Sequence, residues 1–438
     1  MWARLITAGL LALLTGAVLA EPDPVHAAYE AMRAAIAEDD VEGALRSARR
    51  AHELALERHG EGSELALPHA TNYGYMLLKV GHLQDANGVL GNALVAAEGI
   101  HGEDAFELVP LLVALGESQA GRGSRETAQR ALQLHKAHRP DDESGYAEIA
   151  LRVGRYLAAF SRNDPLARSA LTDALRILER EHGKKSPELI PVLMGLGDAH
   201  AKFQQANRQK KFYDRAIEIA VEHDEPLQAA DLRREAGLHL MILSASKLAN
   251  RYLASAVEDY EKLLGAEHVK TAVARLTLAR FHIATSKNKP AERLLLDALP
   301  VLSNDQNARN HELKALGLLV EIYERSGDSD QATTYCQAIG RMTPWVSTQD
   351  YQPIFKMAPA YPIAALQRGQ QGYVIVEYTV DKNGVVRSPT VVASQGSDLF
   401  AEPSLEAARR FRYAPRYVDG EPVDVPGVQN KFTFNIQR

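Results

Sequence analysis

Side chains able to bind a metal, act as a nucleophile or grip an anion are few in this 438-residue chain. Their spacing decides which of those chemistries survive. His59, His101 and His182 each stand directly before a glycine. Imidazoles are common zinc ligands, but ligands must converge on one centre, and these three recur at equivalent points of a long repeat that holds them apart. They read instead as cations at helix C-termini, where they complement the helix dipole. His135 and His138 lie too close together to serve as two same-face helical ligands, and they read as surface residues. Cys336 is the single cysteine, so it has no internal disulfide partner, and an apolar setting would make it a packing residue rather than a reactive thiol. Arg409, Arg410, Arg412 and Arg416 could grip an acidic partner or a cell-wall polymer, but such a run is ordinarily a solvated face and is read as one.

No phosphate-binding Gly-Lys-Ser/Thr loop, His-Glu-x-x-His pair, Gly-x-Ser-x-Gly elbow or cysteine pair occurs. The chain therefore reads as non-enzymatic, with no cofactor or metal. Lys and Arg total 50 against 56 Asp and Glu, a net charge of −6, which calls for neither nucleic acid nor an anionic membrane. With 46% hydrophobic and 24% charged residues, two or three domains are expected.

The elements that hold these residues begin with a terminal stretch of one basic residue, Arg4, then the apolar run Leu5 to Leu19, then Val18-Leu19-Ala20 ahead of Glu21-Pro22-Asp23-Pro24. That pattern predicts a signal peptide, residues 1–20, cleaved after Ala20. The alternative is an uncleaved anchor, although a spanning helix wants about 20 apolar residues. No cysteine stands at the cleavage site, which argues against a lipoprotein.

From 21 to 342 the main signal is self-similarity. Met32, Gly74, Gly116, Gly154, Gly197, Gly237, Ala279 and Val320 are separated by 42, 42, 38, 43, 40, 42 and 41 residues. Small residues recur at fixed offsets from them, such as Gly81, Ala86 and Ala93 after Gly74. Small residues at those offsets let two antiparallel helices approach closely and then stack on the next pair. Cys336 falls sixteen residues after Val320, where Leu90, Tyr213, Leu253 and Leu295 fall in other repeats. About eight repeats are expected. They resemble tetratricopeptide repeats, with a period longer than the usual ~34 residues; the extra residues lie in turns such as His59-Gly60-Glu61 and His101-Gly102-Glu103. The resemblance implies an extended helical solenoid that offers a surface to a protein partner.

Residues 343–357, with Pro344 and Pro353, read as a linker. Beyond it, Tyr361–Arg368 reads as a short helix stopped by Gly369. Gly372–Val380 is a strand with Val374, Val376, Tyr378 and Val380 on one face. Asp381–Gly384 supplies a hairpin turn, and the return strand Val385–Ala393 carries Pro389, which confines it to a sheet edge. Glu402–Phe411 reads as a helix with Leu405, Ala408 and Phe411 on one stripe. In the last strand Val428, Asn430, Phe432, Phe434 and Ile436 share one face, with Gln429, Lys431, Thr433 and Asn435 on the other. A right-handed crossover makes the second and third strands parallel to each other, with the first between them. The order 2-1-3 leaves the outer edge of the third strand, Val428 to Ile436, unpaired. An open edge is a hazard or a rail for a partner's extended segment.

Pro359-Ala-Tyr-Pro362, Gly369-Gln-Gln-Gly372-Tyr-Val-Ile-Val, Val380-Asp-Lys-Asn-Gly-Val-Val, Ala407-Ala-Arg-Arg-Phe-Arg-Tyr-Ala-Pro415, Asp419-Gly-Glu-Pro-Val423 and Phe432-Thr-Phe resemble the TonB C-terminal domain, in family order and spacing. The resemblance implies an α+β domain, 358–438, with a three-stranded sheet and two helices. It also implies a periplasmic location in a Gram-negative bacterium and capture of an outer-membrane transporter's periplasmic segment by strand addition to the last strand. By position the partner-binding residues would be Val428, Gln429, Asn430, Lys431, Phe432, Thr433, Phe434, Asn435 and Ile436. TonB proper has an uncleaved helix bearing a histidine and then a proline-rich spacer, and this chain has neither. Three readings follow. The first is an exported adaptor that holds one protein on its repeats and another on its last strand. The second is a membrane-anchored energy transducer, and the third a structural or cell-wall module with recognition only in the repeats. The same edge could also pair with a second copy.

Overall fold

Glycine and alanine at the repeat anchors leave room for a neighbouring helix, and helix pairs form around them. In a computed structural model, residues 23–119, 121–161, 163–200, 206–242, 246–343 and 351–436 are described. The expected signal peptide, 1–20, and seven of the fifteen residues of the expected linker, 344–350, lie outside the described residues. Eight pairs precede the C-terminal region: α1 (Pro24–Ala37) with α2 (Val41–His59), α3 (Leu67–Lys79) with α4 (Leu83–His101), α5 (Val109–Ser118) with α6 (Arg122–His138), α7 (Glu143–Phe160) with α8 (Pro165–His182), α9 (Ile190–Ala199) with α10 (Ala206–Glu222), α11 (Pro226–Ile242) with α12 (Ser246–Leu264), α13 (Val269–Ala284) with α14 (Asn288–Ser303), and α15 (Arg309–Ser326) with α16 (Ser329–Met342). This is the tetratricopeptide-like arrangement that the period predicts.

The anchors act as expected. A Cβ on Gly74 would stand 2.5 Å from the Leu90 side chain, and Gly154, Gly197 and Gly237 are pressed in the same way by Leu171, Tyr213 and Leu253 of their own pairs. Ala44, Ala86, Ala128, Ala249, Ala291 and Ala332, twelve residues after their anchors, are all 0% exposed. The second helices of several pairs stop at the same turn: Gly60, Gly102, Gly183 and Gly265 have φ of 84 to 90°, a conformation a side chain would oppose.

The described chain falls into two compact units. One runs up to Leu232; the other is built from Arg233–Met241 and the described residues from 246 onward, so it holds both the last helix pairs and the sheet.

The C-terminal region contains α17 (Ile363–Gln367), β1 (Gly372–Val380), β2 (Val386–Gln395), α18 (Ala401–Arg409), β3 (Arg416–Val418), β4 (Glu421–Val423) and β5 (Val425–Phe434). The sheet order is β2-β1-β5, with β1 antiparallel to both neighbours, as expected. Its inner face, Val374, Val376, Tyr378, Val380, Phe432 and Phe434, packs with Phe400, Ala407, Ala408, Phe411 and Tyr413. The last strand differs from the expected Val428–Ile436 at both ends. It starts at Val425 and stops at Phe434, because β1 begins at Gly372, the partner of Phe434, and offers Asn435 and Ile436 nothing to pair with. The separate hairpin of β3 and β4 turns at Asp419-Gly420, both at positive φ. Those two residues are its sequence signal.

Candidate functional site

Hydrogen bonding in a strand alternates, so fixing one residue of β1 fixes the direction of all. The Asp381 N–H donates to the Val385 carbonyl at 2.9 Å to close the hairpin, which aims the odd-numbered residues of β1 at β2. The register slips between β1 and β2 leave extra residues on β2, so β1 keeps its alternation. Its even residues therefore bond β5. Gly372, Val374, Val376 and Tyr378 lie opposite Phe434, Phe432, Asn430 and Val428. The backbone groups of those four β5 residues point inward, and those of Gln429, Lys431 and Thr433 point away from the sheet. Two bonds agree with this alternation at the ends: Lys382 N–H donates to Asp424 Oδ1 at 2.8 Å and Ile436 N–H to Gln371 Oε1 at 3.1 Å.

Side chains hold this edge straight. The ring of Phe434 stacks on Phe400 at 4.2 Å and that of Phe432 lies 5.5 Å from Phe411. On the solvent face Gln429 donates to Glu377 Oε2 at 2.7 Å, and the Lys431 ammonium sits 4.1 Å from the centre of the Tyr373 ring. Lys356 donates to Asn430 Oδ1 at 3.5 Å. Pro426 and Gly427 interrupt the register at the start of the strand. The regular edge is thus Val428 to Phe434. Seven of the nine expected residues lie on it; Asn435 and Ile436 follow it outside the strand.

The other candidates behave differently. His59, His101 and His182 are the last residues of α2, α4 and α8. Among the described residues no group of three or more His, Cys, Asp or Glu is placed to hold a metal. His135, expected at the surface, is only 1% exposed. Its ring lies against Phe106 and Tyr146, and burial lowers its pKa despite Asp142 beside it. It shares a helical stripe with Ala128, Ala131 and Leu132, a period that was available in the sequence. His138 stays exposed, with Nε2 2.6 Å from the Asp104 carbonyl oxygen. Cys336 is buried as expected, and burial pushes its thiol up to about 12, which makes it inert.

The arginine run is not one solvated face. Arg409 and Arg410 are exposed, but Arg412 is buried, with Nε 2.6 Å from Glu324 Oε1 on α15. Its backbone bridges Phe355 on one side and Val385 on the other. Nothing near Arg412 in the sequence announces a partner so far upstream.

Residues 357–436 match the family described as Gram-negative bacterial TonB protein C-terminal. Protein TonB of Vibrio cholerae serotype O1 is 31% identical over 68 residues, 16% of this chain. The match spans only 28% of that curated relative's length. A solved structure of the TonB2 protein from Vibrio anguillarum is 29% identical, covering 22% of this chain and 91% of that one, with a TM-score of 0.18. A tetratricopeptide repeat protein from Parabacteroides merdae is 14% identical, covering 67% of this chain and 99% of its own, with a TM-score of 0.36.

Proposed function

We propose that this chain, which carries a TonB C-terminal domain behind tetratricopeptide-like helix pairs, is an exported periplasmic adaptor. Its helix pairs hold one protein, and its β5 edge captures an extended segment of another as an added strand. The observation that carries this reading is the regular edge from Val428 to Phe434, with the backbone groups of Gln429, Lys431 and Thr433 aimed outward and no further strand beside it among the described residues. Strand addition takes its affinity from main-chain hydrogen bonds and its selectivity from alternate side chains. The family match supports the Gram-negative envelope as the setting, and the expected cleavage after Ala20 supports release into the periplasm. The proposed partner is the periplasmic segment of an outer-membrane transporter.

Synthetic peptides of such segments, titrated against the full chain, test the reading. Lys431→Pro and Thr433→Pro each remove an outward donor and abolish capture, while far-UV circular dichroism stays unchanged. Capture retained by both folded variants overturns strand addition. Mass spectrometry of the periplasmic fraction tests the location, with Glu21 as the expected first residue.

A further inference from the structure

A stack of helix pairs ends in a face that has no next pair to cover it, and repeat proteins need a cap there. On the last pair that face is apolar. Leu316 and Val320 of α15 and Cys336 and Ile339 of α16 are all buried, and the residues that close over them come from the C-terminal region: Phe355, itself 5% exposed, with Ile354, Met357 and Ala414 around it. The approach is close. A Cβ on Gly340 of α16 would stand 2.6 Å from the Pro415 carbonyl oxygen and 3.0 Å from the Tyr417 ring. Gln337 of α16 donates to Asn383 Oδ1, in the hairpin turn, at 3.1 Å.

The polar centre of this contact is the Arg412 and Glu324 pair, 6% and 3% exposed. Beside this ion pair, the other guanidinium nitrogens of Arg412 donate to Ser329 Oγ at 3.1 Å and to the Phe411 carbonyl at 3.0 Å. Arg410 donates to the Glu324 carbonyl at 3.4 Å. The Arg412 backbone is held in turn: its N–H donates to the Phe355 carbonyl at 3.1 Å, and its own carbonyl accepts from Ile354 at 2.7 Å. Two charges withdrawn from water are tolerable only together, and removing either strands the other.

We propose that the TonB-like domain is the cap of the helix stack and that the Arg412–Glu324 pair is the latch that holds it. The β5 edge is then presented at a fixed position on α15 and α16 instead of on a free tether, and a load on the domain passes directly into the last helix pair. The latch does not depend on strand addition and stands whether or not β5 captures a partner.

Cys336, as the single cysteine and part of the covered face, reports the latch without any added probe. Its labelling rate by a small aromatic disulfide is measured on the full chain. Glu324→Gln and Arg412→Met each raise the rate at least about tenfold at unchanged helix content, and the double variant Glu324→Met/Arg412→Met, with no stranded charge, returns to within about threefold of the wild type. Labelling of both single variants at the wild-type rate overturns the latch. Hydrogen exchange of the unaltered chain under rising denaturant guards against variants that fail to fold. One shared opening of the amides of α16 and β1 is expected, and independent openings overturn the cap.

Discussion

The two edges of the C-terminal sheet flank the same central strand, yet they are built in opposite ways. β2 carries Pro389, a residue at positive φ (Ser388, 49°), and two slips of register against β1. Nearly all of it is exposed, with Val391 and Val392 at 38% and 49%. β5 runs in register from Val428 to Phe434 and confines its irregularity to Pro426 and Gly427 at its start. Proline and bulges are the devices by which proteins close an edge to pairing. One edge of this sheet is irregular, and the other is regular with no strand beside it among the described residues, so the difference comes from these residues and not from being an edge.

The comparison is tested most severely by removing what keeps β5 straight. Phe432→Ala, at a ring 5% exposed, should cost about 3–5 kcal/mol, seen as a lowered melting transition, and should abolish peptide capture with it. An unchanged melting transition would mean that the inner face of β5 does not set the edge.

Acid separates the sheet from the helix pairs. Neither edge strand has a histidine, whereas His52 and His69 on α2 and α3 are held below their ordinary pKa. Burial is the main cause for both; the charges of His52 and His59 add to it at His69, while Asp23 opposes it there and Glu53 does so at His52. A base with a depressed folded pKa contributes its full stability above the unfolded value, ~6.5, and loses it as pH falls from there through the folded value. Between pH 7 and 5 thermal melts should therefore show the helix pairs weakening while capture at β5 persists. Parallel loss of both would join what the comparison separates.

The smallest effect is expected at the irregular edge. Pro389→Val restores a donor to β2 and should leave capture at β5 within about twofold, since proline's role there is to withhold pairing. Sedimentation of this variant shows whether proline alone closes β2, in which case the variant self-associates, or whether the bulges suffice.

Much of this architecture is legible in the residues. Gly74 and Leu90, or Gly237 and Leu253, sit sixteen apart because one short turn separates two helices, so spacing along the chain maps onto contact in space. The order β2-β1-β5 follows from Asn383-Gly384 and a crossover connection. His135 was legible too, as the continuation of an alanine and leucine stripe, although reading it for metal spacing hides that stripe. The ends of β5 were not legible, because Asn435 and Ile436 continue its alternation without a partner strand to bond.

The sequence by itself determined the helix pairs, the sheet order and the alternation of β5, since all of these arise from interactions between near neighbours or between elements joined by short connections. Only the tertiary structure decided which backbone groups of β5 face outward and where its pairing stops, because both depend on where β1 begins and how its hairpin closes. It also turned Arg412 from one cation in a solvated run into a buried partner of Glu324. A charge's worth depends on whether water or a counter-charge surrounds it, and that environment is assembled from segments far apart in the chain.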